Sequence, residues 1–554
     1  MRDKIIEIIS EALKELAVEE NNQEILALPI LLDLPKVKDF GDYATNIAFL
    51  LASKLKQNPL KIGEKIASKL KGRTDTFEKV EVVKPGFINF FVNKASYLDF
   101  LKKILTLPEE FFTLHFGAGE KVILEFVSAN PTGPLHVGHG RGAAIGDSLG
   151  RILKACGYEV LKEYYINDAG NQMATLGKSL FLRCQQNLGK EVNFPQECYQ
   201  GDYLKELAAS FVDEYKGKFN DTEATGTPEI FTQYAGEKIL NGIIQDLKRF
   251  NVSFDSYFSE KSLFKSGKVE QTIKEIVGKG LTYTKENALW FKSTNFGDDK
   301  DRVVVKSDGE HTYFASDIAY HKDKFERGFT KIIDIWGADH HGYIPRLKAA
   351  TQAFKITDDN FKVIIVQFVT LIRNGAPVSM STRSGEFVTL KEVLDEVGTD
   401  AARFFFMLRS SDAHLDFDLD AAKKQNDENP VYYVQYAYAR SQSIKRQALE
   451  RNILYDEVLK SNLNLLSLDA EKEIIKKMLQ YPEVLEGCCK ALEPHRITFY
   501  LNELASIFHS YYNKHRVISD DSKLTLARLA MVESLSYVIK NGLNLIGVSA
   551  PEKM

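Results

Sequence analysis

The sequence predicts an α/β protein built on a doubly wound parallel sheet, with a small α+β region before it and an all-helical region after it. Short apolar runs typical of strands buried on both faces, such as residues 121–127 and 331–335, alternate with helical segments. Residues 1–105 instead combine helices with two adjacent strands, and from Val431 onward nearly every segment has helical periodicity. A length of 554 residues fits about three or four domains.

Composition narrows the function classes. The net charge of −4 gives no global basic field, so any contact with RNA must come from local patches. The five cysteines include no C-x-x-C pair, which argues against a disulfide framework or a zinc knuckle and fits a reducing cytosol. The start of the chain is charged and amphipathic rather than a signal peptide, and no apolar run reaches the ~18 residues of a membrane span. We therefore expect a cytoplasmic protein with no membrane contact.

The first region has a simple predicted order. Residues 1–20 form an amphipathic helix, and a second helix ends at Leu55. Strands follow at 79–83 and 87–92, with Pro85-Gly86 between them. These elements make the small α+β unit.

The chain is organised around a turn between a strand and a helix at residues 128–142. The strand before it is almost entirely apolar, and the segment after it has helical spacing, while the turn is dense in Gly and Pro. Such a turn directs backbone N–H groups toward the crevice beyond the strand ends, where anions bind. His136 and His139 would flank the start of the helix and could donate hydrogen bonds to phosphate oxygens.

Further segments complete the sheet. A strand at 158–166 leads into the Asn/Asp/Gly-rich residues 167–172, at the edge where α/β sites lie. Residues 190–260 have helical sequence, and we interpret them as an insertion between the halves of a nucleotide-binding fold. Another strand, 361–369, precedes an Asn374-Gly375 turn.

Between these segments, an Asp308-Gly309 turn predicts a hairpin that pairs residues 303–306 with 312–315. A helix is predicted over 317–325, so that Asp317 stands at its start.

These motifs carry a resemblance. His136-Val-Gly-His139 resembles the HIGH signature of class I aminoacyl-tRNA synthetases. Four residues are weak grounds, because small nucleotidyltransferases share them and an ordinary Gly-rich turn could contain them. The longer string at 128–141 is similar to the arginyl-tRNA synthetase version, and Asn167-Asp-Ala-Gly-Asn171 also matches that family, although a simple turn is the alternative for it.

The resemblance spans nearly the whole chain and implies an architecture. Residues 1–105 would be a domain that binds the tRNA elbow, and 111–425 a Rossmann-like catalytic domain with an insertion near 190–260. Residues 426–554 would be a helical anticodon-binding domain. The implied reaction joins L-arginine to tRNA(Arg) through an arginyl-adenylate, consumes ATP accompanied by Mg²⁺, and releases AMP and pyrophosphate. By resemblance we expect a monomer.

The signature loop of the family would lie at 378–385, and here the sequence departs from the usual KMSKS pattern. Ser379 and Thr382 replace its two lysines, while Met380 and Ser381 keep the frame. Arg383 is the nearest cation, and arginine can bridge two phosphate oxygens. A plain polar loop is the alternative.

The resemblance also assigns residues to the two small substrates. ATP is expected at Pro134, His136, Gly138, His139, Gly140, Met380 and Ser381, where the two glycines would let adenine and ribose approach the backbone. Arginine is expected at Glu125, Ser128, Asn130, His139, Tyr313, Asp317 and His341. Catalysis is expected from His136, His139 and Arg383, without an enzyme nucleophile.

Local chemistry supports part of this assignment. Glu125 lies in an otherwise apolar strand, where an acid needs a partner, and a bound cation would supply it. Asp317 would pair with the guanidinium, although an acid at a helix start is also favoured by the helix dipole. Asp339, His340 and His341 could suggest a metal, but adjacent histidines diverge on a regular element, so we expect a substrate or structural role and no metal site.

Contacts with tRNA are expected from residues in the two outer regions: Phe87, Asn89, Tyr436, Tyr512 and Met554. Aromatic rings beside amides or cations suit unpaired bases. The alternative is that Phe87 is core and Asn89 faces solvent, and that the tyrosines only pack the helices.

Two other functions remain open from the sequence. A different class I ligase, such as the cysteinyl enzyme, would need Cys/His zinc ligands, which are absent here. A non-catalytic RNA-binding paralogue is favoured slightly by Thr382, whereas His136, His139 and Asp317 argue against it.

Overall fold

The computed structural model describes residues 1–35, 37–215, 229–378 and 387–554. A three-stranded antiparallel sheet in the order β1-β3-β2 forms the base of the N-terminal region. Its strands are β1 (Tyr43–Thr45), β2 (Phe77–Val83) and β3 (Phe87–Val92). Its helices are α1 (Arg2–Glu19), α2 (Ile47–Leu55), α3 (Pro59–Leu70), α4 (Lys94–Thr106) and α5 (Pro108–Phe112). The predicted helices and strands of this region are therefore confirmed, with the first long strand starting two residues early.

The middle of the chain contains two kinds of sheet. Its strands are β4 (Lys121–Glu125), β5 (Glu159–Ile166), β6 (Ser256–Ser259), β7 (Thr282–Lys285), β8 (Ala288–Phe291), β9 (Arg302–Val305), β10 (Lys331–Gly337), β11 (Phe361–Val366), β12 (Val369–Arg373), β13 (Ala376–Pro377) and β14 (Leu415–Asp418). Five of them form a parallel sheet in the order β11-β10-β4-β5-β6, and two small sheets, β7-β8-β9 and β13-β12-β14, accompany it.

Helices cover both faces of the parallel sheet. They are α6 (Val137–Ala155), α7 (Asn171–Asn187), α8 (Tyr203–Glu214), α9 (Glu229–Arg249), α10 (Glu260–Lys265), α11 (Lys268–Gly278), α12 (Tyr313–Glu326), α13 (Ile344–Gln352), α14 (Leu390–Val397), α15 (Thr399–Phe406) and α16 (Leu419–Lys423). On β4, Val122 and Leu124 join the core that contains α6, while Ile123 joins the core formed with α12 and α13. This alternation confirms the doubly wound parallel sheet.

The strand order reverses between β4 and β10, which are neighbours in the sheet but far apart in sequence. Chains that leave these two strands turn to opposite faces, so a crevice opens beyond their carboxyl ends.

Two predicted elements are corrected. Residues 312–315 are no strand, because pairing with β9 ends at Thr312, whose N–H donates to Val304 O at 3.0 Å. The helix α12 starts at once at Tyr313, so Asp317 lies in its second turn. The single predicted strand 361–369 is two strands in different sheets, which Gln367 and Phe368 connect.

A third correction concerns the insertion. Residues 256–259 were expected inside it, but they form β6, the edge strand of the parallel sheet. The helices α8 and α9 agree with the helical character predicted for the rest of 190–260.

The last region is helical, as predicted. Its helices are α17 (Pro430–Glu450), α18 (Tyr455–Leu459), α19 (Asp469–Leu479), α20 (Tyr481–Ala491), α21 (Arg496–Lys514) and α22 (Ser522–Leu545). The N-terminal region docks on it, since Tyr43 donates to Glu483 at 2.7 Å and Asp42 pairs with Lys476 at 2.5 Å. Within the described ranges, no helix is long and apolar enough to cross a membrane.

We expect substitution of Gly146 in α6 to destabilise the catalytic region. A Cβ on Gly146 would lie 2.3 Å from the Phe126 ring, in a site where both residues are buried. Overpacking of this kind costs about 1–3 kcal/mol, which exceeds the ~1 kcal/mol that alanine gains over glycine in a helix. Gly146→Ala should therefore lower the midpoint of thermal unfolding measured by calorimetry.

Gly142→Ala is the matched control on the same helix, because no atom lies within 4 Å of the added Cβ. It should leave the midpoint unchanged or raise it. Two shifts of the same sign would contradict this account of the helix packing.

Candidate active site

A cavity of about 520 Å³ opens at the carboxyl ends of β4 and β10, at the predicted edge of the sheet. Its wall combines the end of β4, the start of α6, the first turns of α12 and the residues after β10. The predicted site residues that line it are Glu125, Ser128, Asn130, His136, Gly138, His139, Tyr313 and Asp317. The fold therefore brings together most of the residues predicted for the two small substrates.

The two histidines cap the start of α6. His136 Nδ1 accepts hydrogen bonds from the N–H groups of Gly138 and His139 at 3.1 and 3.4 Å, and His139 Nδ1 accepts from the N–H of His136 at 3.3 Å. The two rings stack with centroids 3.7 Å apart. Because each Nδ1 is an acceptor, the proton of each neutral ring is on Nε2, which makes both rings hydrogen-bond donors.

Burial decides the charge of these rings. It lowers the pKa of His139 to about 3, and it also lowers the pKa of His136. Both imidazoles are therefore neutral at neutral pH. Together with the positive end of the α6 dipole, they offer partial positive charge to an anion.

Different contacts explain why glycine occupies positions 138 and 140. A Cβ on Gly138 would lie 2.9 Å from the His136 ring, so glycine there permits the capping geometry. A Cβ on Gly140 would lie 2.7 Å from Leu390 and 3.2 Å from Phe406. Packing of α6 on α14 and α15 thus accounts for a glycine at position 140, and the expected approach of a nucleotide there stays a prediction. Pro134 is half-buried and is not among the residues that line the cavity.

The expected partner of Glu125 is also corrected. The chain itself supplies the cation, because Lys324 on α12 places its Nζ 2.5 Å from Glu125 Oε2. The other carboxylate oxygen, Oε1, accepts from Ser128 Oγ at 2.9 Å. No local pattern marks Lys324 as a buried residue, since the contact joins positions 199 apart in sequence.

Asp317 is a half-buried acid of the cavity wall, in the second turn of α12 rather than at the start of the helix. It accepts a hydrogen bond from Tyr343 Oη, and burial raises its pKa above the ordinary value. Tyr313 lies one turn earlier on α12 and is 58% exposed. Asn130 also lines the cavity and donates to Gln172 Oε1 at 2.5 Å.

One of the residues predicted to bind the substrate arginine, His341, does not line the cavity. His341 is exposed and does not line the wall, whereas its neighbours Asp339 and His340 do. The short 3₁₀ helix Ala338–Tyr343 turns the two histidines apart, as expected for adjacent residues. In the described parts of the chain, no group of three or more His, Cys, Asp or Glu could hold a metal.

Glu260 is a wall residue that the sequence analysis missed. It begins α10 directly after β6, accepts from Ser316 Oγ at 2.9 Å, and burial raises its pKa. Its position directly after a strand of the parallel sheet could have identified it as a site residue. The sequence analysis did not recognise that strand, because it assigned residues 190–260 to an insertion.

Phe387, which follows the predicted signature loop in sequence, has its ring centroid 6.0 Å from that of His136. Met380, Ser381 and Arg383 lie outside the described residues. Phe368, on the link between β11 and β12, lines the cavity and is 62% exposed. The carbonyl of the preceding Gln367 accepts from the buried Arg141 at 2.8 Å, which fixes this link to α6.

Phe87 and Asn89, the residues of the N-terminal region predicted to contact tRNA, differ in their exposure to solvent. Phe87 is 44% exposed, with its ring edge-on to Phe49 at 5.0 Å, and Asn89 is 3% exposed. The expectation of a core phenylalanine and a solvent-facing asparagine is therefore wrong. Only the phenylalanine is presented at the surface.

In the helical region, Arg440 lies between two of the predicted residues. Its guanidinium is 4.5 Å from the Tyr436 ring centroid and 4.4 Å from that of Tyr512, and Nη1 contacts His509 Nδ1 at 2.9 Å. Tyr436 and Met554 are exposed, whereas Tyr512 is half-buried. Aromatic faces with a fixed cation form a surface suited to unpaired bases.

The lowered pKa of His139 predicts an acid-sensitive fold. The unfolded chain binds a proton near pH 6.5, whereas the native ring binds it only near pH 3, so stability is complete above pH 6.5 and decreases as the pH falls. The loss is at most about 1.4 kcal/mol per pH unit. His139→Asn should make the free energy of urea unfolding less dependent on pH between 7 and 5, by about one proton. An unchanged slope in the variant would contradict the burial of this ring.

Comparison with known proteins agrees with this geometry. Residues 102–428 match the family described as class I tRNA synthetases (R), catalytic domain. Residues 3–92 match the arginyl tRNA synthetase N-terminal domain, and residues 434–554 match the DALR anticodon-binding domain.

Individual relatives extend over the full chain. An arginine–tRNA ligase of Geobacter sp. (strain M21) is 52% identical over 528 residues, which cover 95% of both chains. That of Syntrophotalea carbinolica is 48% identical over 554 residues and covers 100% of both. The Thermus thermophilus arginyl-tRNA synthetase structure covers 100% of both chains at 21% identity with a TM-score of 0.75, which shows a shared fold. The chain therefore belongs to the arginyl-tRNA synthetase family, within class I of the aminoacyl-tRNA synthetases.

Proposed function

We propose that this chain joins L-arginine to tRNA(Arg) in two steps that consume ATP. The observation that carries the proposal is the composition of one cavity. Two neutral imidazoles at the start of α6 share it with the half-buried acid Asp317. The first group suits a triphosphate and the second suits a guanidinium.

In the first step, the arginine carboxylate attacks the α-phosphorus of ATP, and pyrophosphate leaves. His136 and His139 donate from Nε2 to phosphate oxygens as negative charge develops, so catalysis rests on positioning and electrostatics. ATP is expected to bring Mg²⁺, which prefers phosphate and water oxygens, and the described residues form no metal cage of their own.

In the second step, the 2′-hydroxyl of the terminal tRNA ribose attacks the carbonyl of arginyl-adenylate. An ester forms, and AMP leaves. No covalent intermediate with the protein is needed, and the chain only has to hold the two reactants in line.

Selection of arginine rests on acids of the cavity wall. Asp317 pairs with the guanidinium, beside Tyr313, because a planar fork of donors matches a carboxylate. Glu125, Ser128 and Asn130 receive the other end of the amino acid, next to His139. Glu260, whose carboxyl also lines the cavity, adds a further acceptor.

The remaining assignments follow the family pattern. Arg383, with Met380 and Ser381, would steady the phosphates from the signature loop. Residues 1–105 would bind the tRNA elbow through the exposed Phe87, whereas the buried Asn89 could only support that surface from within, and 426–554 would bind the anticodon. We also propose a monomer in the cytoplasm, where the five free cysteines stay reduced.

A charging assay with total tRNA and each amino acid in turn tests the function. Arginine alone should be attached to tRNA, and only when ATP is present. Attachment of another amino acid would identify a different ligase, and absence of any attachment would favour a non-catalytic RNA-binding protein.

Asp317→Asn should weaken the use of arginine specifically. Loss of a buried carboxylate that faces a cation costs about 2–5 kcal/mol, so KM for arginine should rise by about 30-fold or more. KM for ATP should change little, because the imidazoles remain. Steady-state charging kinetics measure both constants.

The exposed Asp359 provides the control, since its side chain is 99% exposed at the far end of a loop. Asp359→Asn should match the unsubstituted protein. Equal KM values for arginine in the two variants would remove Asp317 from the guanidinium site.

Tyr436→Leu should weaken tRNA binding through the anticodon region. Stacking of a base on an aromatic ring is worth about 1–3 kcal/mol, so KM for tRNA should rise by about tenfold, with KM for arginine unchanged. Tyr455→Leu, at a tyrosine that is 44% exposed elsewhere in the same region, is the control. A similar KM for tRNA in both variants would argue against the Tyr436 platform.

A further inference from the structure

Lys324 is the fully buried cation beneath the cavity. It lies near the C-terminal end of α12, and its side chain is 0% exposed. Its Nζ contacts Glu125 Oε2 at 2.5 Å and Asp334 Oδ1 at 2.8 Å, and it stands 4.3 Å from the Tyr320 ring centroid. Burial alone would lower the pKa of Lys324, but Asp334 and Glu125 raise it, so the ammonium is charged.

The two acids that it joins stand side by side. Asp334 on β10 and Glu125 on β4 occupy paired positions of neighbouring parallel strands. Two ionised carboxylates at such positions repel each other in a buried site. Lys324 places its ammonium in contact with both carboxyl groups and offsets this repulsion.

Two further contacts link Asp334 to Asp317 through His321. Asp334 Oδ2 lies 2.7 Å from His321 Nε2, and His321 Nδ1 lies 2.8 Å from the carbonyl oxygen of Asp317. A carbonyl and a carboxylate are both acceptors, so both ring nitrogens act as donors and the ring is an imidazolium. Burial opposes ionisation of Asp334, but Lys324 and His321 outweigh it and hold its pKa below the ordinary value.

Glu125, Lys324, Asp334 and His321 thus alternate in sign, and we name them the charge chain. The charge chain begins at Glu125 and ends at the backbone of Asp317, and both of these residues line the cavity. Each oxygen of Glu125 uses one acceptor position within the protein, for Ser128 and Lys324, and keeps a second for a ligand.

We propose that Lys324 is a positioning residue for the amino-acid substrate, which fixes the Glu125 carboxylate toward the cavity and, through Asp334 and His321, the turn of α12 that carries Asp317. This inference rests on the proposed function and adds a residue to it that touches neither substrate. It explains why a lysine, rather than an apolar residue, occupies the interior under this site.

Lys322 offers a matched control on the same helix. Its side chain is 10% exposed, and its Nζ also pairs with two acids, Glu275 at 3.1 Å and Glu326 at 2.7 Å. Neither acid lines the cavity. Removing either lysine therefore disrupts a comparable pair of ion contacts, but only one of them supports the amino-acid site.

The test compares Lys324→Met with Lys322→Met in the full chain. For Lys324→Met, we expect the dissociation constant of arginine, measured by calorimetric titration, and KM for arginine to rise by about tenfold or more. KM for ATP should stay within about twofold of the unsubstituted value, because the imidazoles do not depend on the charge chain. Lys322→Met should leave all three constants unchanged. Equal arginine constants in the two variants, or equal losses for arginine and ATP, would overturn the proposal.

A second comparison applies if Lys324→Met does not fold. The double variant Lys324→Met/Asp334→Asn removes one charge of each sign and is compared with Asp334→Asn alone. KM for arginine should be higher in the double variant, and equal values would overturn the proposal. The proposed function and the role of Lys324 are tested separately. Failure of the unsubstituted protein to charge tRNA with arginine would refute the proposed function, whereas a difference confined to the variants concerns Lys324 only.

Discussion

One buried carboxylate, Asp147, holds the helix that carries the two histidines in its place. Arg403 Nη2 at 2.8 Å, Lys162 Nζ at 2.8 Å and Arg151 Nε at 2.7 Å surround it, and its side chain is 0% exposed. Burial alone would raise the pKa of Asp147, but these cations lower it, so the carboxylate is ionised. Removing the carboxylate would leave three cations without their counter-charge, and breaking a buried ion pair in this way costs about 3–5 kcal/mol.

The same cluster relates the catalytic region to the helical region. Arg403 also donates to the carbonyl oxygens of Phe250, after α9, and Ile546, after α22, at 3.0 and 2.7 Å. A Cβ on Gly547, whose φ is +69°, would lie 2.3 Å from Arg403 Cζ, so only glycine fits beside the guanidinium. The end of α22 and the helix α6 are thereby fixed to one another through a single side chain.

A feature of the structure could be predicted from the sequence when the contacts that cause it join residues close together in the chain. The turn at 128–142 sets its own geometry, because the cap of α6 is made by His136 with N–H groups two and three residues away. The strand 361–369 could not be divided from its pattern, because its mostly apolar residues do not reveal that the sheet pairing stops at Gln367. There the N–H donates instead to the carbonyl oxygen of Ser411.

Long-range contacts explain the other differences. Glu125 was recognised as an acid that needs a cation, yet nothing near it in sequence identifies Lys324. Phe87 and Asn89 share one face of β3, and only the packing of the whole region decides that the ring is exposed and the amide buried. The assignments at Met380, Ser381 and Arg383 remain predictions.

The charges of the cavity wall leave one requirement for the nucleotide. Among its described residues, Glu125, Glu260, Asp317, Asp334 and Asp339 are acids and none is Lys or Arg. These acids favour a guanidinium and disfavour a triphosphate. The two neutral imidazoles, the start of α6 and the His321 ring, which already pairs with Asp334, offset only part of that repulsion. A triphosphate bound in this cavity would therefore need positive charge from beyond the described wall. Arg141 lies next to the histidine motif, but both of its terminal nitrogens donate to backbone carbonyl oxygens. Its guanidinium therefore contributes to packing rather than to phosphate binding.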